Sequence, residues 1–179
     1  MTRPVRVLAN PAISPALLSE LRRLLDDAFE GDFAGEDWEH ILGGWHVIAT
    51  DGDAVVAHAA VVPRTIHVDD RPFRAGYIEG VATGPRLQRG GLGSTVMAEA
   101  SRQVQELGFE LGVLSTGLNE FYQRCGWERW RGPTFVRDGD ELIRTEGEDD
   151  GIMVLRFGPS HELDLTAPIS CDRRSGDDW

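Results

Sequence analysis

The sequence predicts an α/β (α+β) domain, a central mixed and mostly antiparallel sheet flanked by helices. Three observations predict it. Runs with strand character and runs with helical spacing alternate along the chain. Three strand candidates follow one another between residues 46 and 82, so that part reads as an antiparallel meander. No repeat, low-complexity stretch or Pro/Gly/Ser linker divides the 179 residues, which suits one domain over 1–179.

The elements follow in order. Val5 to Leu8 is a short strand candidate. Ser14 and Pro15 mark a helix start, a side-chain cap followed by proline at the first helical position. Leu17, Leu18, Leu21, Leu24, Leu25, Ala28 and Phe29 then recur at helical spacing and give one buried face. A shorter helix is expected over Glu36 to Leu42. His46 to Thr50 passes through Asp51-Gly52-Asp53 into Ala54 to Val62, a plain hairpin signal. The second strand can continue to Val68, where Asp69-Asp70-Arg71-Pro72 turns the chain into Phe73 to Ala82. Gly90-Gly91-Leu92-Gly93 opens a helix to Leu107, with Leu92, Val96, Ala100, Val104 and Leu107 on one stripe and Gly108 as its stop. Leu111 to Leu114 reads as a buried strand and Asn119 to Arg124 as a short helix. Further strands are expected near Trp127 to Val136 and Ile152 to Phe157.

Charge narrows the partners. Thirty acids stand against eighteen bases, a formal charge of −12, and every base is arginine. Nucleic acid or an anionic membrane would call for a basic surface, so the balance favours a cationic ligand or plain solubility. Met1 to Asn10 shows neither the apolar stretch nor the cleavage pattern of a signal peptide, and no apolar run approaches the roughly 18 residues that span a bilayer. Cys125 and Cys171 imply no disulfide framework, and the expectation is a cytoplasmic chain.

Gln88-Arg89-Gly90-Gly91-Leu92-Gly93-Ser94 lies between a strand and a helix. Successive glycines allow a tight turn that points N–H groups at one spot, and the helix adds the positive end of its dipole. Arg86 and Arg89 are placed to contact phosphate. A Walker loop is excluded because the chain has no lysine. The dinucleotide fingerprint does not match either, and its strand would have to open a βαβ unit. What remains is Gln-x-x-Gly-x-Gly after a strand: a phosphate cradle, or simply a tight strand–helix corner.

That loop resembles the acyl-coenzyme A pyrophosphate loop of the GNAT N-acetyltransferases. Phe121-Tyr122-Gln123-Arg124-Cys125-Gly126-Trp127 resembles the superfamily's second marker, an aromatic-Tyr-x-x-x-Gly-aromatic segment. A narrower likeness spans most of the chain. Gly31-Asp32-Phe33, Asp37-Trp38-Glu39-His40, Leu42-Gly43-Gly44, Ala57 to Val61, Gly76 to Ala82 and Gly176 to Trp179 are similar to the aminoglycoside 2′-N-acetyltransferases, which acetylate the antibiotic's 2′-amine from acetyl-coenzyme A. The loop is richer in glycine than in some relatives, and Ser115 to Tyr122 is shorter.

The resemblance implies the GNAT fold, acetyl-coenzyme A as co-substrate, a cationic aminoglycoside as acceptor and a homodimer. It implies that the strand Gly80-Val81-Ala82-Thr83 offers the thioester carbonyl a backbone N–H, and that Gln88, Arg89, Gly90, Gly91, Leu92 and Gly93 hold the pyrophosphate. Gly80 would suit a bulge or a close ligand. By alternation Glu79 shares the face of Phe73, Ala75, Tyr77 and Val81; a carboxylate there should have a raised pKa and serve as general base, or else pair with an arginine. Tyr122 is the general-acid candidate toward the thiolate, or else a core tyrosine. Cys125 has no histidine adjacent in sequence to support a covalent acetyl-cysteine route.

The acids cluster. Asp26 to Glu39 holds seven with no Lys or Arg, and Asp138 to Asp150 holds seven with Arg144 the one base. Such runs are solvated faces or, if they converge, a polycation site. The resemblance selects Asp32 and Glu148-Asp149-Asp150, with Glu79, Gly80 and Ser115 beside them, and favours Asp149 within its cluster. Asp37 and Asp177 are weaker candidates. In the family the chain terminus approaches the antibiotic, which points to Trp179; the alternative is a frayed acidic tail. The five histidines show no ligand spacing and the two cysteines lie far apart, so no metal is expected, and His58 reads as packed or hydrogen bonded within a strand. Two rival functions stay open: a GNAT enzyme acting on another polyamine or amino sugar, and a non-catalytic acyl-coenzyme A or drug-binding module.

Overall fold

The computed structural model describes residues 4–9 and 12–179, so part of the N-terminal stretch read above, 1–3 and 10, lies outside the described residues. In chain order the elements are β1 (Val5–Ala9), α1 (Pro15–Ala28), α2 (Gly35–Leu42), β2 (Trp45–Asp51), β3 (Ala54–Val68), β4 (Arg71–Thr83), α3 (Leu92–Glu106), β5 (Leu111–Ser115), α4 (Asn119–Arg124), β6 (Glu128–Arg129), β7 (Thr134–Asp138), β8 (Glu141–Arg144), β9 (Ile152–Arg156) and β10 (Ile169–Asp172). Among the described residues the strands hydrogen bond in the order β6-β9-β5-β4-β3-β10-β7-β8, with β2 on β3 and β1 on β2. The β4–β5 and β7–β10 pairings are parallel. Those of β1–β2, β2–β3, β3–β10, β5–β9, β6–β9 and β7–β8 are antiparallel, so the sheet is mixed and mostly antiparallel. No helix among the described residues is long and apolar enough to cross a membrane.

The chain gathers into two compact units, Met1–Val62 with Ile78–Gln103, and Pro63–Tyr77 with Val104–Trp179. In the first, Ser14 caps α1 by accepting from Leu17 N at 3.3 Å, and Leu21, Leu24 and Leu25 of the amphipathic stripe pack with Ile41, Ile48, Ala60 and Ala82. The β2–β3 hairpin is not plain. Its register runs Asp51↔Ala54 and Thr50↔Val55, then Ala49↔Ala57, so Val56 is an extra residue. The Val56 carbonyl accepts from Gly84 N at 2.9 Å and ties down the chain just beyond β4.

In the second unit, Phe73, Ala75 and Tyr77 of β4 pack with Leu111, Val113, Trp130, Ile152, Val154 and Trp179. Asp69 and Asp70, both at positive φ (47° and 61°), form the two-residue turn into β4. The expected strand near Trp127 to Val136 is instead two strands, β6 and β7. Between them the main chain turns inward: Trp130 is fully buried and its indole donates to Ala167 O at 2.9 Å, while Gly132 packs where a Cβ would lie 2.0 Å from that same oxygen. β8 and β10 are additional to the strands expected from the sequence.

Candidate active site

In the first unit the glycine loop joins β4 to α3. Leu87 N donates to Gly84 O at 2.8 Å, closing a tight turn; Gln88 is extended, Arg89 takes φ 62° and Gly91 φ 84°. Arg89 in the left-handed region costs about 1–2 kcal/mol relative to the ordinary conformation, a strain of the kind concentrated at functional loops. Gly91 O accepts both Thr95 N and Thr95 Oγ1 at 3.0 Å, so α3 starts at once and its first-turn amides face the loop rather than a preceding helical turn. Arg86 and residues 88–91 are exposed. The loop residues and the start of α3 are thus open to solvent, where main-chain amides and arginines could meet a phosphate.

Upstream, β4 does not keep its alternation. Phe73, Ala75 and Tyr77 share a buried face, but Gly80 lies at φ 58°, so Val81 does not continue the face of Glu79 as expected. A left-handed residue within a strand shifts the frame by one. Val81 and Thr83 are half-buried, and Ala82 joins the first unit's core. Glu79 is half-buried, with Oε2 shielded from solvent. Behind Gly80 lie two buried histidines that sequence reasoning did not connect: His58 Nδ1 is 2.7 Å from Gly80 O, and His46 Nδ1 is 3.0 Å from His58 Nε2.

Asp32 is exposed on the turn after α1, where Glu30 and Gly31 take φ 55° and 88° and Asp32 N donates to Phe29 O at 2.9 Å. Arg22 fixes this turn by donating to Phe33 O at 3.1 Å and stacking over Phe33 and Trp38. Asp37, a weaker candidate, accepts from Ala34 N at 2.9 Å and so caps α2.

The second unit holds the other site residues. Burial pushes the Tyr122 phenol up to about 12, the nearby Cys125 adds to the rise, and a hydrogen bond with Thr116 opposes it. The group therefore holds its proton throughout the neutral range. Ser115 Oγ donates to Glu148 Oε2 at 3.2 Å; both line a cleft of about 420 Å³ with Thr116, Asn119 and Asp150. Asp149, the acid favoured above, is committed elsewhere. It takes both arms of the Arg144 guanidinium, accepts from Thr134 N at 3.0 Å and from Thr134 Oγ1 at 2.9 Å, and the arginine foremost holds it down at about 2. Asp150 is exposed and paired with Arg129.

Trp179 is not part of a frayed tail. Its ring is buried and its indole donates to Thr145 Oγ1 at 3.2 Å; that hydroxyl bonds Thr134 Oγ1 at 2.8 Å, which leads to Asp149. Arg64 donates to Asp178 O at 2.7 Å and Arg174 N to Asp178 Oδ1 at 2.9 Å. The structure thus joins Ser115 to Glu148 directly and Trp179 to Asp149 through two threonines. The residues Glu79 to Thr83 and Gln88 to Gly93 form one continuous stretch from β4 to α3.

A family model described as an acetyltransferase (GNAT) domain matches residues 12–130. A curated relative from Mycolicibacterium fortuitum, named aminoglycoside 2′-N-acetyltransferase, is 43% identical over 162 residues, which are 88% of this chain and 83% of that protein. Among solved structures, the Escherichia coli GNAT family N-acetyltransferase YhbS in complex with CoA superposes with a TM-score of 0.71 at 19% identity, over 94% of this chain and 89% of that one. A Brucella melitensis GNAT acetyltransferase in complex with acetyl-CoA gives 0.63 at 16%, over 94% and 96%. A probable N-acyltransferase from Enterococcus faecalis gives 0.60 at 18%; this chain spans only 33% of its length. The chain belongs to the GNAT acetyltransferases and, within them, to the aminoglycoside 2′-N-acetyltransferase family.

Proposed function

We propose that the enzyme moves the acetyl group of acetyl-coenzyme A to the 2′-amino group of aminoglycosides by direct attack in a ternary complex, and so confers resistance to them. One observation carries the reading: the 43% identity, over 88% of the chain, to a protein named for that reaction. The chemistry of the residues supports it. Gln88 to Gly93 bind the pyrophosphate through main-chain amides, and Val81 N–H polarises the thioester carbonyl. Glu79 takes a proton from the attacking ammonium, directly or through water. The amine nitrogen then bonds to the carbonyl carbon as the carbon–sulfur bond breaks, Tyr122 gives its proton to the departing thiolate, and the second proton shed by the acylated nitrogen passes to solvent, from which the phenol is reprotonated.

Asp32, Gly80, Ser115, Glu148, Asp150 and Trp179 hold the cationic acceptor in this reading. Asp149 orders the corner from which Glu148 reaches, because its own charge is answered by Arg144. Residues 1–179 act as one acetyltransferase domain in this reading. A cytoplasmic homodimer without metal belongs to the same reading, and sedimentation would test the dimer.

The deciding experiment measures coenzyme A release with matched aminoglycosides bearing an amino or a hydroxyl group at the 2′ position. Turnover confined to the 2′-amino compounds is expected. Equal turnover on both would remove the regiochemistry, and turnover only with polyamines or simple amino sugars would replace the acceptor.

A further inference from the structure

A buried pair of imidazoles holds one backbone carbonyl of β4. A carbonyl only accepts, so at 2.7 Å from Gly80 O the His58 proton must sit on Nδ1. Neutral His58 then has a lone pair on Nε2, which takes the Nδ1 proton of His46 at 3.0 Å. Donation runs one way, from His46 through His58 to Gly80. Both rings are fully shielded from solvent, and burial lowers their pKa values to about 4 for His46 and about 3 for His58, the latter helped by His46 itself. The neutral forms this arrangement needs are therefore those present near neutral pH.

As packing alone the pair is a poor choice. His46 Nε2 is buried and has no hydrogen-bond partner among the described residues, and an unsatisfied buried acceptor is costly where an apolar pair would carry no such penalty. The carbonyl they hold is also special. Gly80 sits at φ 58°, where β4 departs from its alternation, and a Cβ there would lie 3.4 Å from both His58 Cε1 and Ile41 Cγ2. The following peptide is trans, so Val81 N–H points opposite to the Gly80 carbonyl. Fixing one end of that peptide aims the other.

We propose that His58, oriented by His46, is a positioning residue for acetyl transfer that clamps the Gly80–Val81 peptide so that Val81 N–H stays directed at the thioester carbonyl. The inference rests on the reading of Val81 as the thioester's donor. A donor aimed in advance contributes more than one that must reorient as charge develops on the oxygen.

The test uses two amides in the full-length enzyme. Asparagine places a donor where His58 has Nδ1, and glutamine places one where it has Nε2. His58→Gln should lower kcat about tenfold or more, because a small misplacement of a catalytic group is expensive. The dissociation constant for acetyl-coenzyme A should stay within about twofold, as expected when transition-state rather than ground-state contacts are lost. His58→Asn should restore most of the rate. Infrared difference spectra of bound acetyl-coenzyme A, labelled at the carbonyl carbon, should show a lowered stretching frequency in the wild type and His58→Asn but not in His58→Gln.

Equal rates and equal carbonyl frequencies in all three would overturn the clamp, as would a loss in both amides that tracks lost cofactor binding. A normal carbonyl shift without turnover on any 2′-amino compound would instead overturn the acceptor and leave the clamp standing. If the variants do not fold, nitrogen-15 spectra of the unaltered enzyme still decide: Nδ1–H tautomers on both rings are expected, and an Nε2–H on His58 would end the proposal.

Discussion

The two units carry their site residues in different materials. In the first, the recognition we propose lies in the main chain: a left-handed glycine in β4, a left-handed Arg89 and Gly91, and the opening amides of α3. In the second it is written in side chains, with Ser115 on Glu148, Arg144 on Asp149, Arg129 on Asp150 and the Trp179 indole on Thr145. Main-chain sites depend on local φ and ψ, so a short motif announces them. Side-chain sites depend on which partner arrives from elsewhere, and a count of acids says little about which carboxylates are free to bind a cation. Of the acids in the second cluster, Asp149 and Asp150 already have guanidinium partners and Asp138 lies 3.3 Å from that of Arg173.

Removing one side-chain proton donor gives the largest effect. Tyr122→Phe should lower kcat about a hundredfold if the phenol is the acid, within the usual range for losing a general acid. Acetyl-coenzyme A affinity, read by calorimetry, should hardly move. An unchanged kcat would return Tyr122 to the core and place the proton donor elsewhere.

The matching break in the main-chain unit is Gly91→Val. At φ 84° any side chain is strained even though open space surrounds the position, and a branched one most. A penalty of about 1–2 kcal/mol corresponds to about a tenfold weaker affinity for coenzyme A. Saturating acetyl-coenzyme A should recover nearly full kcat. A fall in kcat at unchanged affinity would mean that the loop shapes chemistry rather than binding.

What could be read in advance follows the same division. Ser14-Pro15 placed α1, the stripe Val96, Ala100 and Val104 placed α3, and Gly108 at φ 73° ends it as expected. The β7–β8 hairpin hides inside an acidic run: its two-residue loop is Gly139-Asp140, with Gly139 at φ 59°, and charged residues flank it before the apolar pairs Phe135-Val136 and Leu142-Ile143. β10, four residues long, owes its existence to pairing with β3 and β7, which no local pattern contains. The histidine pair was hidden by one residue. A plain hairpin sets Val47 opposite His58, on the other face from His46; the extra Val56 moves the register so that Ile48 faces His58 and the two imidazoles share a side. For the same reason the commitment of Asp149 could not be seen, since its partners Thr134 and Arg144 meet only once the hairpin closes.

Asp149→Asn sharpens the contrast through pH. Its carboxyl is lowered from 3.8 to about 2 in the fold, so the stabilisation is fully present above pH about 4 and is lost as pH falls through about 2. The carboxylate is partly exposed, and after screening its share is about 1 kcal/mol. Acid unfolding monitored by circular dichroism should show the variant less stable at pH 6 and level with the wild type near pH 2. A difference that persists at pH 2 would mean that neutral hydrogen bonds to Thr134, not the charge, do the holding.

Glu148→Gln should have the smallest effect and the most discriminating one. The residue is half-buried at the cleft and takes a single hydrogen bond from Ser115, which an amide oxygen can still accept. Stability should therefore stay within about 0.5 kcal/mol. What changes is one negative charge facing a cation, worth about 0.5–1 kcal/mol at such a site, so KM for a 2′-amino acceptor should rise about threefold with kcat nearly constant. Because the lost term is Coulombic, the variant's KM should also depend less on salt than the wild type's. If instead KM stays put in Glu148→Gln and rises in Asp149→Asn, the cation is read by the carboxylate already bound to Arg144, and Asp149 is the binding acid while Glu148 is the structural one.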